Sequence, residues 1–194
     1  MPVTRLKFHT TVIAGQSPAS EDVTDQGVLP FIQGCAEFGS RNPIPVKYCD
    51  SAPKRAPSGS TLVSVRAPVG ELNVAAEDIG IGRGVAAIVA HQSLSPRFTV
   101  WLLDALIPAL QTLAAGSTFD AVAASDIGNL KFELPSLPDQ TRIAHFLDEQ
   151  TAKIDDLRSH CREHVALLRE YRASLISAAV TGQLDIANFG RNVA

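Results

Sequence analysis

Hydrophobic and polar positions along the chain change period three times. Residues 61–69 (Thr-Leu-Val-Ser-Val-Arg-Ala-Pro-Val) are rich in β-branched side chains and predict a buried strand that ends at Pro68 and turns at Gly70. Residues 72–76 and 84–90 predict further strands, and the Gly-Ile-Gly-Arg-Gly run of 80–84 predicts a tight turn between them. Glycines this close together require positive φ angles or close backbone approach. Residues 97–114 carry apolar positions at 98, 102, 103, 106, 110 and 113, a helical spacing that Pro108 is expected to kink or split. Residues 127–134 predict a last strand.

Beyond residue 136 the pattern becomes one long helix. Ser136-Leu137-Pro138-Asp139 has the form of a capping box with Pro in the first turn. From there Ile143, Leu147, Gln150, Ile154, Leu157, Cys161, His164, Leu168, Tyr171 and Leu175 alternate by four and three. A strict 3.5-residue period over this length predicts a coiled-coil seam, and polar Gln150 and His164 would fix register and partner. A helix of about 40 residues is roughly 60 Å long. That exceeds what one small domain can cover, so a partner helix is expected, either a second copy or another protein.

Composition sharpens this division. All 12 prolines and all but two of the 13 glycines fall in residues 1–138; the exceptions are Gly182 and Gly190. The fold class is therefore α+β (mixed α/β) for a globular part over 1–135, then one long coiled-coil α-helix over 136–180 and a tail over 181–194. The chain is 45% hydrophobic and 19% charged, which excludes an unfolded chain. No apolar run approaches the roughly 20 residues of a membrane span, no signal-peptide pattern begins the chain, and three scattered cysteines make no disulfide framework. A reduced cytoplasmic protein is expected, with Cys35 and Cys49 as small buried residues.

Net charge is −3, yet residues 41–66 carry Arg41, Lys47, Lys54, Arg55 and Arg66 against Asp50 alone, a local +4 that leaves −7 for the rest. One reading is a solvated loop. The other is a phosphate-binding patch on a protein whose remaining surface discourages non-specific wrapping of DNA.

Catalytic patterns are missing. His160, Cys161 and His164 lie close on the helix, but no H-E-x-x-H accompanies them and two fall on the seam, so no metal site is expected. There is no nucleophile elbow, P-loop, helicase motif, nuclease carboxylate set, or Asp/Asn-Pro-Pro-Tyr methyltransferase motif.

A set of short motifs is more telling. In order they are Gly15-Gln16-Ser17-Pro18, Pro30-Phe31-Ile32-Gln33-Gly34, Ser64-Val65-Arg66-Ala67-Pro68-Val69-Gly70, Ile81-Gly82-Arg83-Gly84, Gly116-Ser117-Thr118-Phe119 and Leu134-Pro135-Ser136-Leu137-Pro138-Asp139-Gln140. Phe146-Leu147-Asp148, Thr151-Ala152-Lys153-Ile154-Asp155 and Ala179-Val180-Thr181-Gly182 complete them. Jointly, followed by a heptad helix, they make the chain resemble the DNA-specificity subunit of type I restriction-modification systems over nearly its whole length.

The resemblance implies a non-catalytic protein whose target recognition domain reads double-stranded DNA. Its helix would dock type I methyltransferase (modification) subunits and, through them, the restriction subunit. S-adenosylmethionine, ATP and magnesium would belong to those partners, and no membrane is involved. The family form has two recognition domains and two helices, roughly twice this length. A homodimer through the seam (Ile143, Leu147, Ile154, Leu157, Cys161, Leu168, Tyr171 and Leu175) would restore it. It would read an interrupted palindrome. The other reading is a truncated or silent gene fragment acting only as a coiled-coil interaction module. DNA contacts are expected from Arg41, Asn42, Lys47, Lys54, Arg55, Arg66 and Arg83, with Gln33 and Ser40 as base readers. For Arg66 and Arg83 a bracing role at a turn is the competing expectation. The Gly-Ser-Thr-Phe run is expected to pack the domain against the helix.

Overall fold

A computed structural model describes residues 2–116, 121–184 and 186. The chain divides into two compact units, residues 1–145 and 146–194.

In the first unit, strands β1 (Val3–Arg5), β2 (Thr10–Ala14), β3 (Pro30–Ile32), β4 (Lys47–Tyr48) and β5 (Arg55–Ala56) are short, and the loops from β2 to β5 carry proline or glycine. They are followed by β6 (Thr61–Ser64), β7 (Leu72–Val74), β8 (Ile79–Ile81) and β9 (Val85–Ala90). Then come α1 (Pro96–Ala115), α2 (Ala124–Asn129), β10 (Lys131–Glu133) and α3 (Leu137–Val180), which continues into the second unit.

One antiparallel sheet has the order β2-β9-β6-β7. A second, β4-β3-β8-β5, contains the parallel pair β3–β8, in register Phe31 with Gly80. A two-stranded ribbon joins β1 to β10, Thr4 opposite Phe132.

The apolar runs of β6 and β9 lack alternation because both faces are buried. On β9, Val85 and Ala87 join Ile32, Leu62, Ile79 and Ile81 in one core cluster. Ala86 and Ile88 point the other way, into a cluster with Val63, Phe98, Leu103, Leu110 and Ile127. A third group, Leu29, Phe31, Cys49 and Ala52, sits under β3. All three cysteines are free; Cys49 is buried as expected, whereas Cys35 is only half-buried in a 3-10 turn.

Several expectations are corrected. The 80–84 run is not all turn: its first half is β8, and the reversal is confined to Gly82-Arg83-Gly84. These glycines have no positive φ; their demand is close approach. A Cβ on Gly80 would lie 2.7 Å from the Ala52 Cβ, and one on Gly84 would lie 2.4 Å from the Gln33 carbonyl oxygen.

Pro108 does not split α1. It lies on the exposed side, where water can satisfy the carbonyl it strands, while Leu103 and Leu110 hold the buried side. Leu113 is exposed and Ala114 takes its place in the core. Helix α1 is also long and apolar enough to cross a membrane, with mean hydropathy 1.5, contrary to the expectation that no run approaches that length. Its apolar character has a local cause, since Phe98, Leu102, Leu103 and Leu110 are buried in the domain core.

Residues 127–129 are helical instead of extended. Asp126 accepts the Ala123 N–H at 3.0 Å and starts α2, and pairing with β1 limits β10 to three residues. Residues 117–120, which carry Ser117, Thr118 and Phe119, lie outside the described residues.

The predicted start of α3 is present. The Ser136 hydroxyl donates to Asp139 at 2.6 Å and accepts the Asp139 N–H at 3.4 Å. Together with an ion pair to Arg142, this holds the Asp139 carboxyl below its ordinary pKa. Gln140 is fully buried and completely satisfied. Its amide nitrogen donates to the Ser93 and Pro135 carbonyls at 3.0 Å each, and its oxygen accepts the Ser95 N–H at 2.8 Å. At the far end, Gly182 takes φ 73°, and its N–H reaches Ala179 O while Gln183 N–H reaches Ala178 O. This pair of bonds closes a helix on a left-handed glycine.

Candidate functional site

Four of the sequence motifs meet at one edge of the first unit through backbone hydrogen bonds. Gly15 N–H donates to Val85 O and Gln16 N–H to Ile81 O, each at 2.9 Å. Gly82 N–H reaches Ile32 O at 2.8 Å, Gly84 N–H reaches Gln33 O at 2.9 Å, and Val65 N–H reaches Gly84 O at 2.9 Å. Gly15 makes this convergence feasible, because a Cβ there would lie 2.1 Å from Gly82 O and 2.6 Å from Val85 O. The outcome is that Gln33, Arg66 and Arg83, distant in sequence, are exposed on neighbouring turns.

Arg66 and Arg83 line a cleft of about 300 Å³. Its remaining walls are small apolar residues such as Ala14, Gly15 and Ala86. Arg83 Nε donates to Ser17 Oγ at 3.0 Å, so one edge of the guanidinium is fixed. Two cations over small, apolar walls can receive an anionic group without steric obstruction.

Residues 9–163 match the family model of the type I restriction modification DNA specificity domain. The chain belongs to this family. It is 33% identical over 177 residues to a protein of Methanocaldococcus jannaschii named as the MjaX specificity subunit of a type I restriction enzyme, covering 90% of this chain and 41% of that protein. It is similar to the crystal structure of the HsdS subunit of Thermoanaerobacter tengcongensis (TM-score 0.77, 35% identity, 94% of this chain and 45% of that one). It is also similar to a chain in a structure of assembly and conformational transition of the type I R-M system (TM-score 0.86, 36% identity, 92% and 45%). The chain thus spans less than half the length of these relatives.

The remaining candidates of this specificity domain fall into two further places, so the basic stretch 41–66 does not form one patch. Ser40, Arg41 and Asn42 form a loop pinned to β7. Arg41 O accepts Val74 N–H at 2.9 Å, Asn73 Nδ2 donates to Gly39 O at 2.9 Å, and Asn42 Nδ2 donates to Val74 O at 2.7 Å. The Asn42 amide is therefore engaged in holding the loop, while Ser40 and Arg41 are exposed. Sequence reasoning missed Ile44 and Val46 in the same loop, 68% and 64% exposed.

Lys47 and Arg55 lie on the two outer strands of the second sheet. Lys47 is ion-paired with Asp25, which lowers the Asp25 pKa. Arg55 donates to Asp50 O at 2.7 Å. The Asp50 carboxylate accepts the Leu29 and Val28 N–H groups at 2.8 and 2.9 Å, and these bonds, aided by Arg55, hold its pKa below the ordinary range. Lys54, Arg41 and Arg66 have no acidic partner among the described residues.

On α3 the seam is open. Ile154, Leu157, Leu168 and Tyr171 are 55 to 66% exposed, Ile143 and Cys161 are also exposed, and Leu147 and Leu175 are half-buried. Among the described residues no group of three or more His, Cys, Asp or Glu could hold a metal ion.

Proposed function

We propose that the chain is a non-catalytic, sequence-specific double-stranded DNA-binding subunit of a type I restriction-modification complex. The observation that carries this reading is the convergence of the motif segments at one edge, with Gln33, Arg66 and Arg83 exposed together and two guanidiniums at a small-walled cleft. Arg66, Arg83, Arg41 and Lys54 would hold phosphates; Gln33 and Ser40 would read base edges. Asn42, given its bond to Val74, would act as scaffold.

The open seam of α3 favours a homodimer. Its steps of four and three read the same in both directions about the Leu157–Cys161 interval. A second copy running antiparallel therefore places every seam residue opposite another, Leu157 facing Cys161. Such a dimer would present two recognition domains to an interrupted palindrome. Modification subunits, and the restriction subunit through them, would be the protein partners. S-adenosylmethionine, ATP and magnesium would be bound by them, in the cytoplasm.

The test is binding of a duplex library by the full chain, alone and with cognate modification subunits, alongside Arg66→Ala and Leu157→Glu variants. Enrichment of an interrupted palindrome that both variants lose is the expected result. No enrichment in any mixture would leave a coiled-coil interaction module and refute the DNA reading.

A further inference from the structure

A second group of cations, well outside the stretch 41–66, gathers at the other end of β2 and α2. Arg5 and Lys131 are exposed and sit directly opposite each other in the β1–β10 ribbon. Arg5 Nη1 also donates to Asn129 Oδ1 at 3.4 Å, at the last residue of α2. Lys7 follows in the adjoining 3-10 turn, with its Cβ packed near Gly128 of α2. Its ammonium stands 5.6 Å over the ring of Phe8, itself 65% exposed. None of these three cations has an acidic partner among the described residues; Glu133, opposite Val3, is the acid that shares the ribbon.

Like charges placed directly across a ribbon repel unless an anion sits between them. Here the pair is exposed and unneutralised, with a third cation a few residues away. The first turn of α2 points toward the other basic group: Ala123 and Ala124 line the cleft that holds Arg66 and Arg83. Six residues of α2 span about 9 Å, and five residues of β2 about 17 Å. The two groups are therefore separated by about three to five base pairs of duplex rise at 3.4 Å each.

We infer that Arg5, Lys7 and Lys131 form a second phosphate-contacting patch. It would extend the Arg66–Arg83 cleft along α2 and grip the duplex backbone without reading sequence. This rests on the reading of the chain as a DNA-binding subunit. An acidic protein is the rival occupant. Three cations with no acidic partner among the described residues, at the far end of the helix whose first turn lines the Arg66–Arg83 cleft, about 9 to 17 Å away, favour the duplex.

The test is the salt dependence of binding between roughly 50 and 200 mM, on target and unrelated duplexes, for the full chain and Arg5→Gln/Lys7→Gln/Lys131→Gln. Removing one cation from a phosphate takes about 0.9 off the slope of log K against log salt. The triple variant is therefore expected to bind both duplexes with a slope flatter by about 2.7, and about tenfold more weakly per cation removed near 0.1 M salt. Should the triple variant fail to fold, Lys7→Gln alone, in its exposed turn, is read for a change of about 0.9. A parent that binds DNA while the variants keep its slope overturns the patch. So does DNA binding that stays unchanged while capture of a modification subunit disappears, which would mark a protein-docking surface. A parent that binds no duplex at all overturns the DNA reading itself, and the patch with it.

Discussion

Gln140 offers the strongest test of how the specificity domain is held to the first turn of α3. Its side chain is fully buried and makes three hydrogen bonds, to Ser93 O, Pro135 O and Ser95 N–H. Ser95 is also the residue that starts α1, so one amide ties the beginnings of two helices together. Replacement by Ala strands all three backbone groups. The Pro135 carbonyl is the one bonded in a fully buried setting, and an unmade buried bond costs about 1–3 kcal/mol. The two Ser93 and Ser95 bonds are partly buried, and each contributes about 0.5–1.5 kcal/mol. The vacated side-chain volume adds a cavity cost of about 1 kcal/mol. The total is about 3–7 kcal/mol, a large part of the roughly 5–15 kcal/mol that a domain has. Urea unfolding followed by fluorescence of Trp101, the single tryptophan, reads this directly. With a slope of about 2 kcal/mol/M, the midpoint should fall by roughly 1.5–3.5 M. Gln140→Met, which keeps the volume and removes only the bonds, should fall by less. Thr141→Ala is the control, since its exposed hydroxyl bonds only Leu137 O within the helix. A Gln140→Ala midpoint within about 0.3 M of the parent would refute the reasoning.

Three further outcomes follow from the geometry. Gly15→Ala must push the Gly82 and Val85 carbonyls aside, so duplex affinity should drop with the motif edge while α3 helicity by circular dichroism is retained; unaltered binding would mean that edge is not the DNA site. Oxidised Leu157→Cys should yield a covalent dimer through Cys161 of a second copy, and the parent none; a parent linked through its own Cys161 would mean parallel helices. The lowered pKa of Asp50 makes its stabilisation complete above the ordinary carboxylate pKa near 4 and lost as pH falls through its depressed folded value. Hence the stability gap between the parent and Asp50→Ala should be constant from neutral pH to about 5 and shrink on further acidification; a gap that widens there would contradict the assigned bonds.

What could be read in advance was what periodicity and local punctuation encode. The long helix announced itself by its seam, its Ser136 start and the absence of Gly and Pro between Pro138 and Thr181, and β6 and β9 by β-branched or continuous apolar runs. What escaped was set by partners far along the chain. Strand β8 looked like a turn because Gly80 carries no side chain, yet it is small because Phe31 and Ala52 press on it. Helix α2 looked extended because Ile127, Leu130 and Phe132 are apolar, whereas Asp126 folds the segment locally. Gln140 gave no signal of burial, since nothing in a polar side chain says that Ser93 and Pro135 will meet it. The grouping of Arg66 with Arg83 depends on Gly15, Gly82 and Gly84 bringing separate turns together. The basic stretch 41–66 misled in the opposite direction: contiguous in sequence, it is dispersed over a loop, two outer strands and the cleft.

That dispersal bears on selectivity. Lys47 is matched by Asp25, and Arg55 is occupied by the Asp50 carbonyl, whereas Arg41, Lys54 and Arg66 have no acidic partner among the described residues. A cation already paired must exchange its carboxylate for a phosphate, so it contributes less to counterion release than an unpaired one. On the proposed DNA reading, Asp25 would accordingly limit how strongly the second sheet holds any duplex, irrespective of sequence. Asp25→Asn removes the competing charge and leaves Lys47 available. Binding to unrelated duplexes should then tighten, and the salt slope should steepen by about 0.9. The ratio of target to non-target affinity should fall or stay level, because phosphate contacts carry no sequence information. Because the pair is exposed, folding stability should change little. If Asp25→Asn left the salt slope on unrelated DNA unaltered, Lys47 would lie off the DNA path, and the cleft would have to supply the grip without the outer strand.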